Sequence, residues 1–202
     1  MARKRTAVLI SGRGSNMASL IKAAHDPSYP AEIQLVIADR ADAKGLETAA
    51  AEGIEAIAIE RKGFDSKQSF EEAIHQAMVE RDIEVVCLAG FMRLLSADFV
   101  GKWYGSLLNI HPSLLPDFKG LDAQAQALEA GAKEAGCTVH LVSADMDAGP
   151  ILMQARVPVE ADDSVDSLSA RILVEEHRIY PEALALLASG RVQVDGDKIS
   201  VS

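Results

Sequence analysis

The first half of the chain alternates short, nearly continuous apolar runs with stretches whose apolar residues recur at helical spacing. Residues 6–11, 33–38, 56–59 and 83–89 are rich in aliphatic side chains and predict strands. Between them, residues 17–24, 45–52 and 66–81 predict helices. Strands apolar on both faces and separated by helices imply a mostly parallel sheet covered on both sides, a Rossmann-like, doubly wound α/β architecture. Residues 96–103 predict a further helix capped by Ser96, and residues 107–110 a fifth strand. The pattern then changes. Residues 137–142 and 151–157 read as strands joined through the turn-rich Asp147-Ala148-Gly149-Pro150, in the same sheet as the fifth strand. Residues 164–188 read as a long helix that Pro181 is expected to kink or divide. Residues 191–194 and 198–201, around Asp195-Gly196-Asp197, read as a hairpin. With no repeat and no linker-like stretch, one domain is expected over 1–202, with halves of about 1–105 and 106–202.

Candidate chemistry gathers where predicted strands end. In Asn109-Ile110-His111-Pro112 an amide and an imidazole stand two residues apart, so in extended chain both point to one side, and Pro112 stops the strand there. An amide donor beside a group that can give or take a proton is what stabilising an oxyanion and moving a proton require. Taken alone, the tripeptide reads better as an ordinary strand end with a capping Asn and a packed His, and that reading loses ground only because other parts of the chain point to the same place. Of the other histidines, His25 and His75 fall in polar helical contexts and are expected to be solvated. His140, on a strand, and His177, on the long helix, read as core or supporting groups.

The first strand-to-helix junction is Ser11-Gly12-Arg13-Gly14-Ser15-Asn16. Two glycines permit a tight turn, and the free N–H groups of the helix that follows favour a phosphate, with Ser15 and Asn16 as extra donors. The plainer reading is a turn whose glycines serve geometry alone. Asp39 stands after strand two like a ribose-binding acid, but Met17 occupies the place where a dinucleotide fingerprint needs a small residue, so NAD is not expected. Asp147, if delivered near His111, would favour the imidazolium and raise its pKa above about 6.5; its commoner fate is to bond its own backbone turn. The 88–95 segment leaves strand four where open parallel sheets bind ligands and offers apolar walls for a flat ring, or else simple core packing with Arg93 exposed.

Composition narrows the classes. Of 202 residues 49% are hydrophobic, enough for a real core, and no run of about 18 apolar residues exists that could span a membrane. The basic start, Met1-Ala2-Arg3-Lys4-Arg5, leads into the first βα unit and not into a cleavable leader, so a cytoplasmic protein is expected. A net charge of −10 argues against nonspecific nucleic-acid binding, while a small anion needs only local devices. Cys87 and Cys137 lie in apolar runs without ligand spacing, so buried free thiols are expected, with neither disulfide nor zinc.

Together these residues resemble the phosphoribosylglycinamide formyltransferases, folate-dependent formyltransferases of purine synthesis. The likeness runs nearly end to end: SGRGSN at 11–16, AGFMRLL at 89–95, NIHPSLLP at 109–116, Asp147-Ala148-Gly149-Pro150 and Glu176-His177. The resemblance implies the formyltransferase fold and formyl transfer from 10-formyltetrahydrofolate to the amine of glycinamide ribonucleotide, with no metal. It implies that Gly14, Ser15 and Asn16 hold the phosphate and Glu176 reaches the ribose. Met92, Arg93, Leu94 and Leu95, with Ser143, Ala144, Asp145, Met146 and Asp147, would enclose the pterin next to Asn109. Lys67 stands where relatives place a basic ligand contact, sometimes Arg; Lys keeps the charge but loses the fork. Asn109, His111 and Asp147 would be catalytic, and Thr138 would help orient a water or the amine. One departure is Gly120-Leu121-Asp122-Ala123-Gln124, where some relatives carry histidines; it bears on the local loop and pH profile, not on the triad. A monomer or homodimer is implied, with small molecules as partners and neither nucleic acid nor membrane.

Three alternatives remain. Formyltetrahydrofolate hydrolase has a similar site with water as acceptor, but its regulatory domain precedes the core, whereas the first strand here begins by Thr6; the SGRGSN loop also speaks against it. A tRNA formyltransferase would need a further RNA-binding domain. A noncatalytic nucleotide or folate module would not need Asn109, His111 and Asp147 together.

Overall fold

A computed structural model describes residues 2–195 and 198–201. In chain order the elements are β1 (Lys4–Ile10), α1 (Ser15–Ala24), β2 (Ala31–Ala38), α2 (Lys44–Ala51), β3 (Glu55–Ala58), a 3₁₀ turn (Arg61–Gly63), α3 (Lys67–Val79), β4 (Val85–Leu88), α4 (Ala97–Lys102), β5 (Leu107–His111), α5 (Ala123–Glu129), β6 (Glu134–Leu141), β7 (Ile151–Pro158), α6 (Val165–Ala188), β8 (Val192–Asp195) and β9 (Lys198–Val201). A seven-stranded sheet runs β3-β2-β1-β4-β5-β6-β7. Its first five strands are parallel, and β6 and β7 join antiparallel. The α/β architecture with a mostly parallel central sheet is therefore the one the hydrophobic pattern predicts.

Alternation along β1 explains why both faces are apolar. Val8 and Ile10 enter a core with Met17 and Leu20 of α1 and Ile172, Ile179 and Tyr180 of α6. Ala7 and Leu9 enter the opposite core, with Phe70, Ile74 and Met78 of α3 and Phe99 of α4. Side chains in strands point alternately to the two faces, so only a sheet covered on both sides buries such runs. Ser66, Ser96 and Ser164 cap α3, α4 and α6 by accepting from backbone N–H groups three residues on, each worth about 1 kcal/mol.

Three features depart from expectation. α6 runs undivided through Pro181, because Ile179, Tyr180, Ala183 and Leu184 are buried around it and Tyr29 Oη donates to the Pro181 carbonyl at 2.6 Å. α5 forms where no helix was expected, without a side-chain cap and with Asp122 at φ 57° before it. His75 is not simply solvated: its ring packs edge-on against Trp103 with centroids 5.7 Å apart, and its Nδ1 is buried. β8 and β9 pair as predicted, while the turn residues Gly196 and Asp197 lie outside the described residues.

The strand order reverses between β1 and β4, since β2 follows β1 on one side and β4 adjoins it on the other. Ligands in open parallel sheets bind at such a switch point, beyond the carboxyl ends of the strands. The SGRGSN loop leaves β1 there, the 89–95 segment leaves β4, and Asn109 and His111 close β5 beside them.

Candidate active site

Gly14 sits at φ 73°, a left-handed conformation that costs an L side chain energy, and immediately precedes α1. No side chain caps α1, so the first N–H groups of the helix face outward from a turn built to expose them. α2 packs against this loop at Gly45, whose N–H donates to Gly12 O at 3.0 Å; a Cβ on Gly45 would lie 2.4 Å from Ile10 Cδ1. Gly45 is therefore a loop-supporting residue that sequence reading missed, although a glycine in the first turn of a helix was a signal for it. Ser11 ties the two loops together: its N–H donates to Gly90 O, and its hydroxyl accepts from Met92 N–H at 2.8 Å.

Between these loops lies a cleft of about 480 Å³. It is lined by residues 11–16, by Asp39 and Arg40 after β2, and by Ala89, Gly90, Met92 and Arg93 after β4. Asn16 Nδ2 donates to Glu176 Oε2 at 2.6 Å, which brings α6 to the loop and joins two of the predicted ribonucleotide contacts. Burial raises the Glu176 pKa, opposed by the Asn16 hydrogen bond and by the field of His111.

The second centre forms around β5 and β6. Antiparallel pairing sets Asn109 opposite His140 and His111 opposite Thr138. His140 Nδ1 donates to Leu141 O at 2.9 Å, which leaves Nε2 as acceptor for Asn109 Nδ2 at 3.1 Å. The amide of Asn109 is thereby oriented, with its second N–H still available. Asp147, at φ 48° in the loop between β6 and β7, places Oδ2 3.5 Å from His111 Nδ1 and Oδ1 3.8 Å from His140 Nε2, while Oδ2 also accepts from Gly120 N–H at 2.9 Å. The predicted trio Asn109, His111 and Asp147 thus converges, and His140 joins it. His111 Nε2 donates to Phe118 O at 3.0 Å, so the imidazole is held at both edges.

Thr138 needs correction. It is fully buried, donates to Ser113 O at 2.7 Å and accepts from Leu115 N–H and Gln154 Nε2. Its hydroxyl is committed to holding the 113–115 turn and has no free valence for a water or an amine.

Burial of His140 lowers its pKa, with Leu141 and Asp147 partly opposing. A group whose folded pKa lies below its unfolded value of about 6.5 contributes stability that is present above that value and lost as pH falls through the folded one. Glu176, with its raised pKa, works in the opposite sense, so the variant comparison isolates His140. In urea melts, the unmodified protein is expected to lose up to about 1.4 kcal/mol more per pH unit below pH of about 6.5 than His140→Gln, which keeps a neutral acceptor. Parallel acid limbs in the two proteins would contradict the assignment.

The loops beside this centre carry exposed apolar side chains. Met92 and Leu94 follow β4, and Met146 precedes Asp147 after β6, so they flank the end of β5 on both sides. Leu95 is half-buried; Ser143 Oγ donates to Asp145 O, and Ala144 and Asp145 are exposed. Lys67 is not drawn into the cleft: it lies 3.8 Å from the buried carboxylate of Glu71. Glu71 in turn accepts from Ser96 N–H at 2.8 Å and from the Ser96 hydroxyl, anchoring the end of the 92–96 segment. Of the remaining groups, His25 is exposed beside Glu52 at 3.2 Å, and Cys87 and Cys137 are buried free thiols, as expected, with burial pushing both pKa values up to about 12.

An uncapped helix N-terminus at the switch point and an Asn-His-Asp cluster at the end of β5 stand together in this fold, and the chain belongs to the formyl transferase family, whose model matches residues 4–184. It is 44% identical over 188 residues to the phosphoribosylglycinamide formyltransferase of Escherichia coli, covering 93% of this chain and 88% of that protein. It is 50% identical over 192 residues to the human trifunctional purine biosynthetic protein adenosine-3; that match covers 95% of this chain but only 19% of the relative's length. Among solved structures, glycinamide ribonucleotide transformylase 1 of Symbiobacterium toebii superposes with a TM-score of 0.96 at 45% identity, covering 98% of this chain and 94% of that one.

Proposed function

We propose that this protein is a phosphoribosylglycinamide formyltransferase, moving the formyl group of 10-formyltetrahydrofolate to the glycinamide amine of the ribonucleotide. The observation that carries the reading is the placement of two centres at one end of the sheet: the uncapped N-terminus of α1, tied to Glu176 of α6, and the Asn109–His111–Asp147 cluster at the end of β5. One suits a phosphorylated ribose, the other an acyl carbon.

The amine nitrogen attacks the formyl carbon, the carbonyl π electrons move to oxygen, and a tetrahedral oxyanion forms. The free N–H of the Asn109 amide donates to that oxygen, its geometry fixed by His140. His111, held by Asp147 at Nδ1, adds a second donor through Nε2 once its bond to Phe118 O yields to the substrate. Collapse of the intermediate re-forms the carbonyl and breaks the carbon–N10 bond; N10 takes a proton from His111, which regains one from the attacking nitrogen, and tetrahydrofolate leaves. The protein's share is positioning and electrostatics. Met92, Leu94 and Met146 provide apolar surface for the pterin, with backbone groups of residues 92–95 and 143–147 at its polar edge, and Lys67 attracts the folate carboxylates. Among the described residues no helix is long and apolar enough to cross a membrane; the two free thiols fit a reducing compartment, and we place the enzyme in the cytoplasm.

Combining Ser15→Ala with Asn16→Ala is expected to raise KM for the ribonucleotide at least about tenfold, because a charge-assisted contact and the link to Glu176 are lost together, while KM for the folate stays unchanged. Steady-state kinetics with each substrate varied in turn checks it. An unchanged ribonucleotide KM would remove the phosphate-loop assignment.

A further inference from the structure

The cleft beside α1 contains a buried charged pair that the reaction as described leaves unused. Asp39 directly follows β2, its side chain 2% exposed, and its Oδ2 accepts from Arg93 Nε at 2.5 Å. Its other oxygen, Oδ1, is buried without a hydrogen-bond partner among the described residues. A carboxylate removed from water with half its acceptor capacity idle is costly, so an Asp at this place calls for a compensating role. Arg93 is bound to the described residues through Nε alone, while its side chain, 44% exposed, lines the same cleft as Gly14, Ser15 and Asn16. A guanidinium gripped at Nε keeps its two terminal NH₂ groups parallel and free, the fork that suits a phosphate. The other arginines of the cleft are less suited: Arg40 is spent on Asp42 through both Nε and Nη2, and Arg13 is exposed on the loop itself. In a chain of net charge −10, an anionic substrate depends on such a placed cation.

We propose that Arg93 binds the phosphate of the ribonucleotide across the cleft from the N-terminus of α1, and that buried Asp39 is the positioning residue that holds it there. The proposal rests on the phosphate-loop reading and takes the Arg93 side chain out of the folate contacts, leaving the backbone of the same segment to the pterin. Asp39 acts only through Arg93 and touches no substrate atom.

Calorimetric titration of the ribonucleotide, and of inorganic phosphate, into Arg93→Ala, Arg93→Lys, Asp39→Ala, Asp39→Asn and the Asp39→Ala/Arg93→Ala double variant tests it, with unfolding midpoints measured on each to show that the fold is kept. Arg93→Ala is expected to weaken ribonucleotide binding about tenfold or more, and Arg93→Lys to recover only part, since Lys keeps the charge but has no Nε for Asp39 to grip. Asp39→Ala is expected to weaken it several-fold, Asp39→Asn, which keeps an acceptor oxygen, to restore most of it, and the double variant to bind no worse than Arg93→Ala alone. KM for the folate stays unchanged throughout. Unchanged ribonucleotide affinity with a raised folate KM in Arg93→Ala would assign the guanidinium to the folate carboxylates and overturn the proposal. Additive losses at Asp39 and Arg93 would overturn the positioning role. Absence of ribonucleotide binding in the unmodified protein would defeat the phosphate-loop reading itself, and the proposal with it.

Discussion

His111→Ala is expected to lower kcat by about three orders of magnitude while the Kd of the ribonucleotide changes by no more than about twofold. The imidazole has two tasks in the mechanism, donating to the oxyanion and relaying the proton to the leaving nitrogen, and Ala does neither. It stands at the end of β5, separate from the N-terminus of α1 that takes the phosphate, so binding and chemistry are expected to part. Asp147→Asn sharpens the point. The amide retains an oxygen for Gly120 N–H, so the loop keeps its anchor, but the charge facing His111 Nδ1 is gone. Turnover is expected to fall by about two orders of magnitude or more with little change in unfolding midpoint. Single-turnover kinetics paired with ribonucleotide titration checks both variants. Equal losses in affinity and turnover would make these residues structural.

Asn109→Ala is the second large effect. Loss of one oriented donor to a developing oxyanion typically costs about 10²–10³ in kcat, and the same range is expected here with KM values nearly constant. This substitution also strands His140 Nε2, buried and without its donor, so the protein is expected to unfold more easily by about 1–3 kcal/mol. Kinetics must therefore be measured well below the variant's midpoint. A drop in stability with kcat intact would mean that the amide serves the β5–β6 pairing alone.

Much of this was legible in the chain because the strands and the strongest helices announce themselves locally. Apolar runs such as 7–10 and 85–88, buried on both faces, admit no other arrangement, and Ser66, Ser96 and Ser164 mark helix starts by their own chemistry. α5 was not legible: its uncapped AQAQALE stretch buries only Ala123 and Ala127, and tertiary contact supplies the rest. The undivided course of α6 through Pro181 likewise depends on neighbours, Tyr29 among them, that are remote in sequence.

The candidate site divides in the same way. The i, i+2 relation of Asn109 and His111 follows from strand geometry and needs no partner. The role of His140 depends on the register between β5 and β6, which no local pattern prints, and so does the burial of Thr138 under the 113–115 turn. The sequence places Asp39 like a ribose-binding acid and gives no sign of its pairing with Arg93, because 54 residues separate the two and only the switch point brings them together. In the sequence Glu71 looks like one more acid on a polar helix, although its contact with Ser96 ties α3 to the segment proposed to cover the pterin.

The most direct test of the whole account is the rate of folate release from a 10-formyl folate, followed by absorbance, with and without glycinamide ribonucleotide. The account predicts release that depends on the ribonucleotide and saturates with it, with one formyl group gained by the ribonucleotide for each folate released. Equal release without the ribonucleotide, with formate as the product, would contradict it and make the protein a hydrolase.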